Sequence, residues 1–173
     1  MMPKGIMPFA PLIFLAGLTG CGLQPLYGGG AKSPIAATLR SVKVAPIAGQ
    51  SGWLVRNKLV DRLGETGAGP ADYRLEVTLD DNITSFGIRG DRAATYERRT
   101  LRARYQLVSA ASGTVVLDAT AGSDAGIDVV SSEYATVAAE QTALERLAIE
   151  VADQIVSRIA LYAQRGGRRP AAR

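Results

Sequence analysis

The plainest pattern in the chain is an alternation. Tyr73, Leu75, Val77 and Leu79 face one way, and Arg74, Glu76, Thr78 and Asp80 the other. A period of two with one apolar face predicts a half-buried strand in an antiparallel or mixed sheet. The polar, glycine-bearing stretch from Asp81 to Asp91 predicts that this strand frays or turns there. Alternation resumes from Thr95 to Val108, with Leu101, Ala103, Tyr105 and Leu107 against Arg102, Arg104 and Gln106. Ala110-Ala111-Ser112-Gly113 reads as a hairpin, and Thr114 to Ala119 as a further strand running on toward Ile127. Leu39 to Val44 predicts an earlier strand, stopped by Ala45 and Pro46.

Two segments carry the helical period instead. From a Ser51 N-cap, the residues Trp53, Val55, Leu59, Val60 and Leu63 form one broad apolar stripe. Gly64, Gly67, Gly69 and Pro70 end that helix. The second runs from Ser131 to Gln164. Tyr134, Val137, Leu144, Ala148, Val151, Ile155, Ile159 and Tyr162 recur in threes and fours, with Gln141 the exception. At 1.5 Å per residue it would be about 50 Å long. Ser131 or Ser132 can cap it, Glu133 suits its positive end, and Gly166-Gly167 closes it. The order is β-α-β-β-β-α. It predicts an α+β domain over residues 37–165, with a four-stranded, mostly antiparallel or mixed sheet and two helices packed on one face.

Composition removes chemistry. The chain has 173 residues, no His and one Cys. There is no His base, His-based triad or His metal ligand, and no disulfide or cysteine-cluster metal site within the chain. No Ser–Lys pattern suggests a hydrolase. Asp80-Asp81 with Asp91, and Asp124 with Asp128, match no calcium-loop spacing and read as solvated acids. The expectation is no enzyme, no metal and no cofactor. The formal charge of +4 is too small to predict nucleic-acid binding.

The first twenty residues read as an address. Lys4 precedes a mostly apolar run from Ile6 to Leu18, too short to span a bilayer of about 30 Å. Leu18-Thr19-Gly20-Cys21 then has the form of a bacterial lipobox. Residues 1–20 are expected to be a lipoprotein signal peptide. Cys21 is expected to carry diacylglycerol and an N-acyl chain, enough together for stable anchoring. Residues 21–36, rich in Gly and Pro, read as the lipidated Cys and a flexible tether, and 166–173 as a basic, disordered tail. Gly22, where Asp commonly signals inner-membrane retention, points to the outer membrane, facing the periplasm.

One cluster of charge stands out. Arg89, Arg92, Arg98, Arg99, Arg102 and Arg104 lie within sixteen positions. By parity Arg92, Arg98, Arg102 and Arg104 share one side of an unbroken strand, and Arg89 and Arg99 the other. Guanidinium forks match phosphate geometry, and at an outer membrane the abundant phosphate-bearing ligand is lipopolysaccharide. The bland alternative is a solvated sheet face balanced by Glu76, Asp80 and Glu97.

Cys21-Gly22-Leu23-Gln24-Pro25-Leu26-Tyr27-Gly28 resembles the opening of the LptE family of lipopolysaccharide-assembly lipoproteins. Ser132-Glu133-Tyr134-Ala135-Thr136, continuing through Ala139-Glu140 to Ala152, Ile155 and Arg158, is similar to the final helix of alphaproteobacterial-type members. Tyr73 to Val77 and the hairpin from Tyr105 to Gly113 also fit. The resemblance implies two helices against a four-stranded sheet. It also implies a non-enzymatic role as the plug of the β-barrel protein LptD, helping to insert lipopolysaccharide in the outer leaflet and binding it. Only Cys21 carries over from that family residue by residue; the arginine cluster rests on charge. The alternative is a free-standing periplasmic lipoprotein that binds another envelope lipid or protein.

Overall fold

The computed structural model describes residues 33–65, 70–88 and 94–167. Its elements are α1 (Pro34–Arg40), β1 (Val42–Val44), α2 (Gly49–Leu63), β2 (Tyr73–Ile88), β3 (Ala94–Ser109), β4 (Val115–Asp128) and α3 (Glu133–Gly167). The four strands form one sheet in the order β1-β2-β3-β4. β1 runs parallel to β2, while β2–β3 and β3–β4 are antiparallel. The sheet is therefore mixed, as its alternating pattern predicts.

Register sets the layers. Leu75 pairs with Leu107, Val77 with Tyr105 and Leu79 with Ala103, while Ala103 pairs with Ala121. Odd-numbered positions of β2 and β3 thus share one face, joined by Val42 and Val44 of β1. That face meets the helices. Leu75, Leu101, Tyr105 and Leu107 are buried there with Leu144, Leu147, Val151, Ile155 and Ile159 of α3 and Val55, Leu59 and Leu63 of α2. α2 and α3 run side by side in the same direction. Gln50 bonds Gln141 near their starts (3.0 Å) and Arg62 pairs with Asp153 further on. The even-numbered face carries no helix.

Four expectations need correction. A third helix, α1, precedes β1, so Leu39 and Arg40 end a helix and the strand is only Val42–Val44. Its signal was present: Ser33 accepts a hydrogen bond from the Ala36 N–H (3.1 Å) and Pro34 fills the first turn, where a missing N–H costs nothing. α2 begins at Gly49, not after Ser51. Its first turn lies so close to the preceding loop that a Cβ on Gly52 would sit 2.7 Å from the Ile47 carbonyl oxygen. β2 does not stop at Asp81. It pairs with β3 as far as Ile88, because the polar residue at its inward position 81 finds a cation opposite the core. Finally, α3 begins at Glu133 and reaches Gly167.

The apolar stripe of α3 is longer than the core it serves. On this stripe burial is complete from Leu144 to Ile159, yet Tyr134 and Val137 are 87% and 56% exposed. Truncation should separate the two ends. Leu144→Ala is expected to lower unfolding free energy by about 2–5 kcal/mol, and Val137→Ala to change it by no more than about 0.5 kcal/mol. Urea titration of both variants checks this.

Candidate functional site: the helix-free face of the sheet

β2, β3 and β4 lay their even-numbered residues on a broad polar surface. From β3 come Tyr96, Arg98, Arg102, Arg104 and Gln106; Phe86, Thr84, Asp80 and Thr78 flank them on β2. Gly126, Asp124, Gly122, Thr120 and Asp118 flank them on β4. Strand alternation alone places Arg98, Arg102 and Arg104 together on this side. Arg99 points the other way. Cys21, Arg89 and Arg92 lie outside the described residues, as do residues 1–32, Asp91 and the tail from Arg168.

The arginines are less free than their spacing suggests. Arg104 reaches Asp118 (3.1 Å), which also accepts a bond from Gln106 (2.8 Å). Arg98 stands 4.0 Å from Asp124 and 5.5 Å over the Phe86 ring, which in turn leans on Tyr96. Arg74 pairs with Glu76 along β2. Asp118 and Asp124 are strand residues that answer β3 arginines across the ladder. Their partnership was readable only with the register in hand.

Arg99 has a different task. Its guanidinium makes a two-pronged bond to Asp81 (2.9 and 2.8 Å) and donates to the Glu140 carbonyl of α3 (3.0 Å). Its side chain is 13% exposed and that of Asp81 19%. The bond to Asp81 raises the Arg99 pKa above the ordinary arginine value against the opposing effect of burial. This cluster closes the apolar core at the point where β2 and β3 turn polar. It places Arg99 in the fold's support and removes it from any solvent-facing ligand surface.

Glycine shapes β4. A Cβ on Gly126 would lie 1.8 Å from the Tyr96 hydroxyl oxygen, and one on Gly122 would lie 2.6 Å from both Cδ and Nη1 of Arg102. Both large side chains of β3 therefore lie flat across β4. Gly122 is also gripped from the edge: its N–H donates to Gln154 of α3 (3.1 Å) and its carbonyl accepts from the same amide (3.2 Å). Gly122 and Gln154 are the residues that sequence reading missed, since neither belongs to a motif. Among the described residues, no three acidic, His or Cys side chains gather as a metal site. No described helix is long and apolar enough to cross a membrane.

The model of the LptE lipopolysaccharide-assembly family matches residues 39–159. The chain belongs to the LptE family. Its fold is similar to that of a putative lipoprotein from Caulobacter crescentus CB15, at 26% identity and a TM-score of 0.62 over 75% of this chain and 96% of that one. It also resembles rare lipoprotein B from Shewanella oneidensis (11% identity, TM-score 0.52, 73% and 98% covered). A minor lipoprotein from Acinetobacter baumannii is similar too (12%, 0.53, 71% and 92%). At those last identities the likeness is one of fold alone. Among curated proteins none matches. The LptE-type sheet and helices seen here thus agree with the fold that the sequence resemblance implies.

Two measurements test the electrostatics. The hydrogen bonds from Arg104 and then Gln106 hold the Asp118 carboxyl below its ordinary value of 3.8. A lowered carboxylate pKa means its contact is complete above that value and is lost as pH falls through the folded-state pKa. Carboxyl-carbon NMR titration is expected to place the Asp118 midpoint below 3.8, and Arg104→Gln to move it upward with an unchanged urea midpoint. Arg99→Ala, by contrast, strands a largely buried Asp81. It is expected to cost about 1–3 kcal/mol in the same urea assay.

Proposed function

We propose that this chain is an outer-membrane lipoprotein that plugs an LptD-type β-barrel and assists lipopolysaccharide assembly at the cell surface. The family match over residues 39–159 carries the reading. The lipobox ending at Cys21 adds the anchor: diacylglycerol and an N-acyl chain on that residue hold the domain at the membrane from its α1 end. Lipid is the only covalent addition, with no cofactor, and the protein makes and breaks no bond in its ligand.

The geometry supports the plug role physically. The lumen of a transmembrane barrel is polar. A rigid domain whose open sheet face is charged but internally paired can sit against such a wall without leaving naked charges. The sixteen residues of β2 extend about 50 Å at 3.3 Å each, longer than a hydrocarbon core of about 30 Å. One domain can thus reach from a periplasmic anchor through much of a barrel. The work of such a subunit is to hold the barrel in form and offer a path for a phosphorylated glycolipid.

The reading is tested in the protein's own host. Mature protein tagged at Arg173 and extracted in mild detergent is expected to bring down a large outer-membrane barrel at near one-to-one ratio. Recovery of the lipoprotein alone, with the barrel abundant in the same extract, overturns it. Cys21→Ser is expected to abolish incorporation of labelled fatty acid into the protein.

A further inference from the structure

Because most arginines on the open face have acidic partners, overall charge does not make that face a phosphate binder. Arg102 is different. It makes no hydrogen bond or ion pair with any described residue. Asp80 stands directly across from it on β2, yet the guanidinium turns away and lies over Gly122 on β4, where the missing Cβ leaves it room. Gln154 holds that stretch of β4 from behind. An open groove of about 560 Å³ results, walled by Thr78, Asp80, Arg102, Arg104, Thr120 and Gly122.

The chemistry of this groove is specific. A guanidinium lying flat, without an acid to occupy it, keeps its fork of N–H donors for an outside anion, and that fork fits phosphate oxygens two at a time. The Asp80 carboxylate repels a bare anion but accepts bonds from sugar hydroxyls. The threonine hydroxyls both donate and accept. Cation, carboxylate and hydroxyls around a backbone floor suit a phosphate carried on a saccharide better than a free phosphate. Leu79, Ala103 and Ala121 add apolar surface to the same lining.

We propose that the Arg102–Gly122 groove binds the phosphorylated saccharide of lipopolysaccharide, with Arg102 on the phosphate and Asp80, Thr78 and Thr120 on the sugar hydroxyls. The proposal rests on the lipopolysaccharide-assembly reading above and names the part of the molecule that this face takes. Gly122 acts as a positioning residue: it sets where the guanidinium lies and touches no ligand through a side chain.

The test uses the full-length lipidated protein in detergent micelles, with the arginine Nε resonances as reporter. Four probes are titrated: the fully deacylated, phosphorylated saccharide of lipopolysaccharide, the same saccharide without phosphate, inorganic phosphate, and intact lipopolysaccharide. The phosphorylated saccharide is expected to shift the Arg102 signal. Arg102→Gln should weaken its binding about tenfold or more, the loss of a charge-assisted bond. Arg102→Lys should recover part of that affinity, a point charge without the fork. Gly122→Ala keeps every charge but pushes the guanidinium aside, so it is expected to weaken binding with an unchanged urea midpoint. Should that variant unfold, Arg102→Gln decides alone. Equal binding of the phosphorylated saccharide to wild type and Arg102→Gln overturns the groove and leaves the lipopolysaccharide reading intact. Inorganic phosphate binding as tightly as the saccharide reduces the site to an adventitious ion only. Failure of intact lipopolysaccharide to bind wild type overturns the reading on which the groove depends.

Discussion

The covering of one sheet face, and only one, governs this molecule. α3 buries Leu144, Leu147, Val151, Ile155 and Ile159 against Leu75, Leu101, Tyr105 and Leu107, and hydrophobic burial of that kind is the main favourable term in folding. Small residues make the fit close. Ala143, Ala148, Ala152 and Ala160 on the helix, and Ala103 and Ala121 on the sheet, are all buried, and they leave room for the Tyr105 ring. Once one face is committed in this way, strand parity sends the even-numbered residues of β2, and those of β3 as far as Gln106, to the other side. A one-residue slip would reverse the arrangement and bury the arginines. The open polar face is thus a consequence of the core.

The core ends at a charge cluster. Arg99 and Asp81 occupy inward positions that further along the strands belong to leucine, and the Glu140 carbonyl completes the guanidinium's bonds. A polar group so placed is tolerable only when its partners are supplied. Past this point the strands continue as a paired ladder, while α3 carries Tyr134 and Val137 in the open. The end of the sheet away from α1 therefore differs in kind from the packed end. It is held mainly by backbone pairing and polar contacts, with a buried Ile127 and the Phe86–Tyr96 ring contact as its apolar packing.

Across the open face, placement decides what charge means. Six clustered arginines suggest an anionic ligand by number, but Asp118, Asp124 and Glu76 offset Arg104, Arg98 and Arg74, and Arg99 serves the core. Exposed pairs of this kind contribute little stability. Their effect is to flatten the potential of the surface. That suits a face held against a polar wall, and it leaves Arg102 as the described arginine of the cluster without a partner. A similar fold recurs in solved lipoprotein structures at 11% and 12% identity, as expected when alternation and helical stripes, more than particular residues, specify the packing.

Much of this was legible in the residues alone. Alternation from Tyr73 to Leu79 and from Leu101 to Leu107, and the threes and fours from Leu144 to Ile159, determined strands, helix and core face, because those periods are local properties of backbone geometry. The same parity rule separated Arg99 from Arg98, Arg102 and Arg104. What the sequence did not disclose depends on pairs distant along the chain. Asp81 looked like the end of a strand until Arg99 stood beside it. Asp124 looked like a solvated acid, and Asp118 like a strand residue without a partner, until β4 came alongside β3. Gly122 became a resting place for Arg102 only through a register that sets position 102 against 122 and through Gln154, more than thirty residues on. Periodicity encodes which side a residue faces; only tertiary structure decides which residue it meets there, because that depends on register and on how the long helix lies over the sheet.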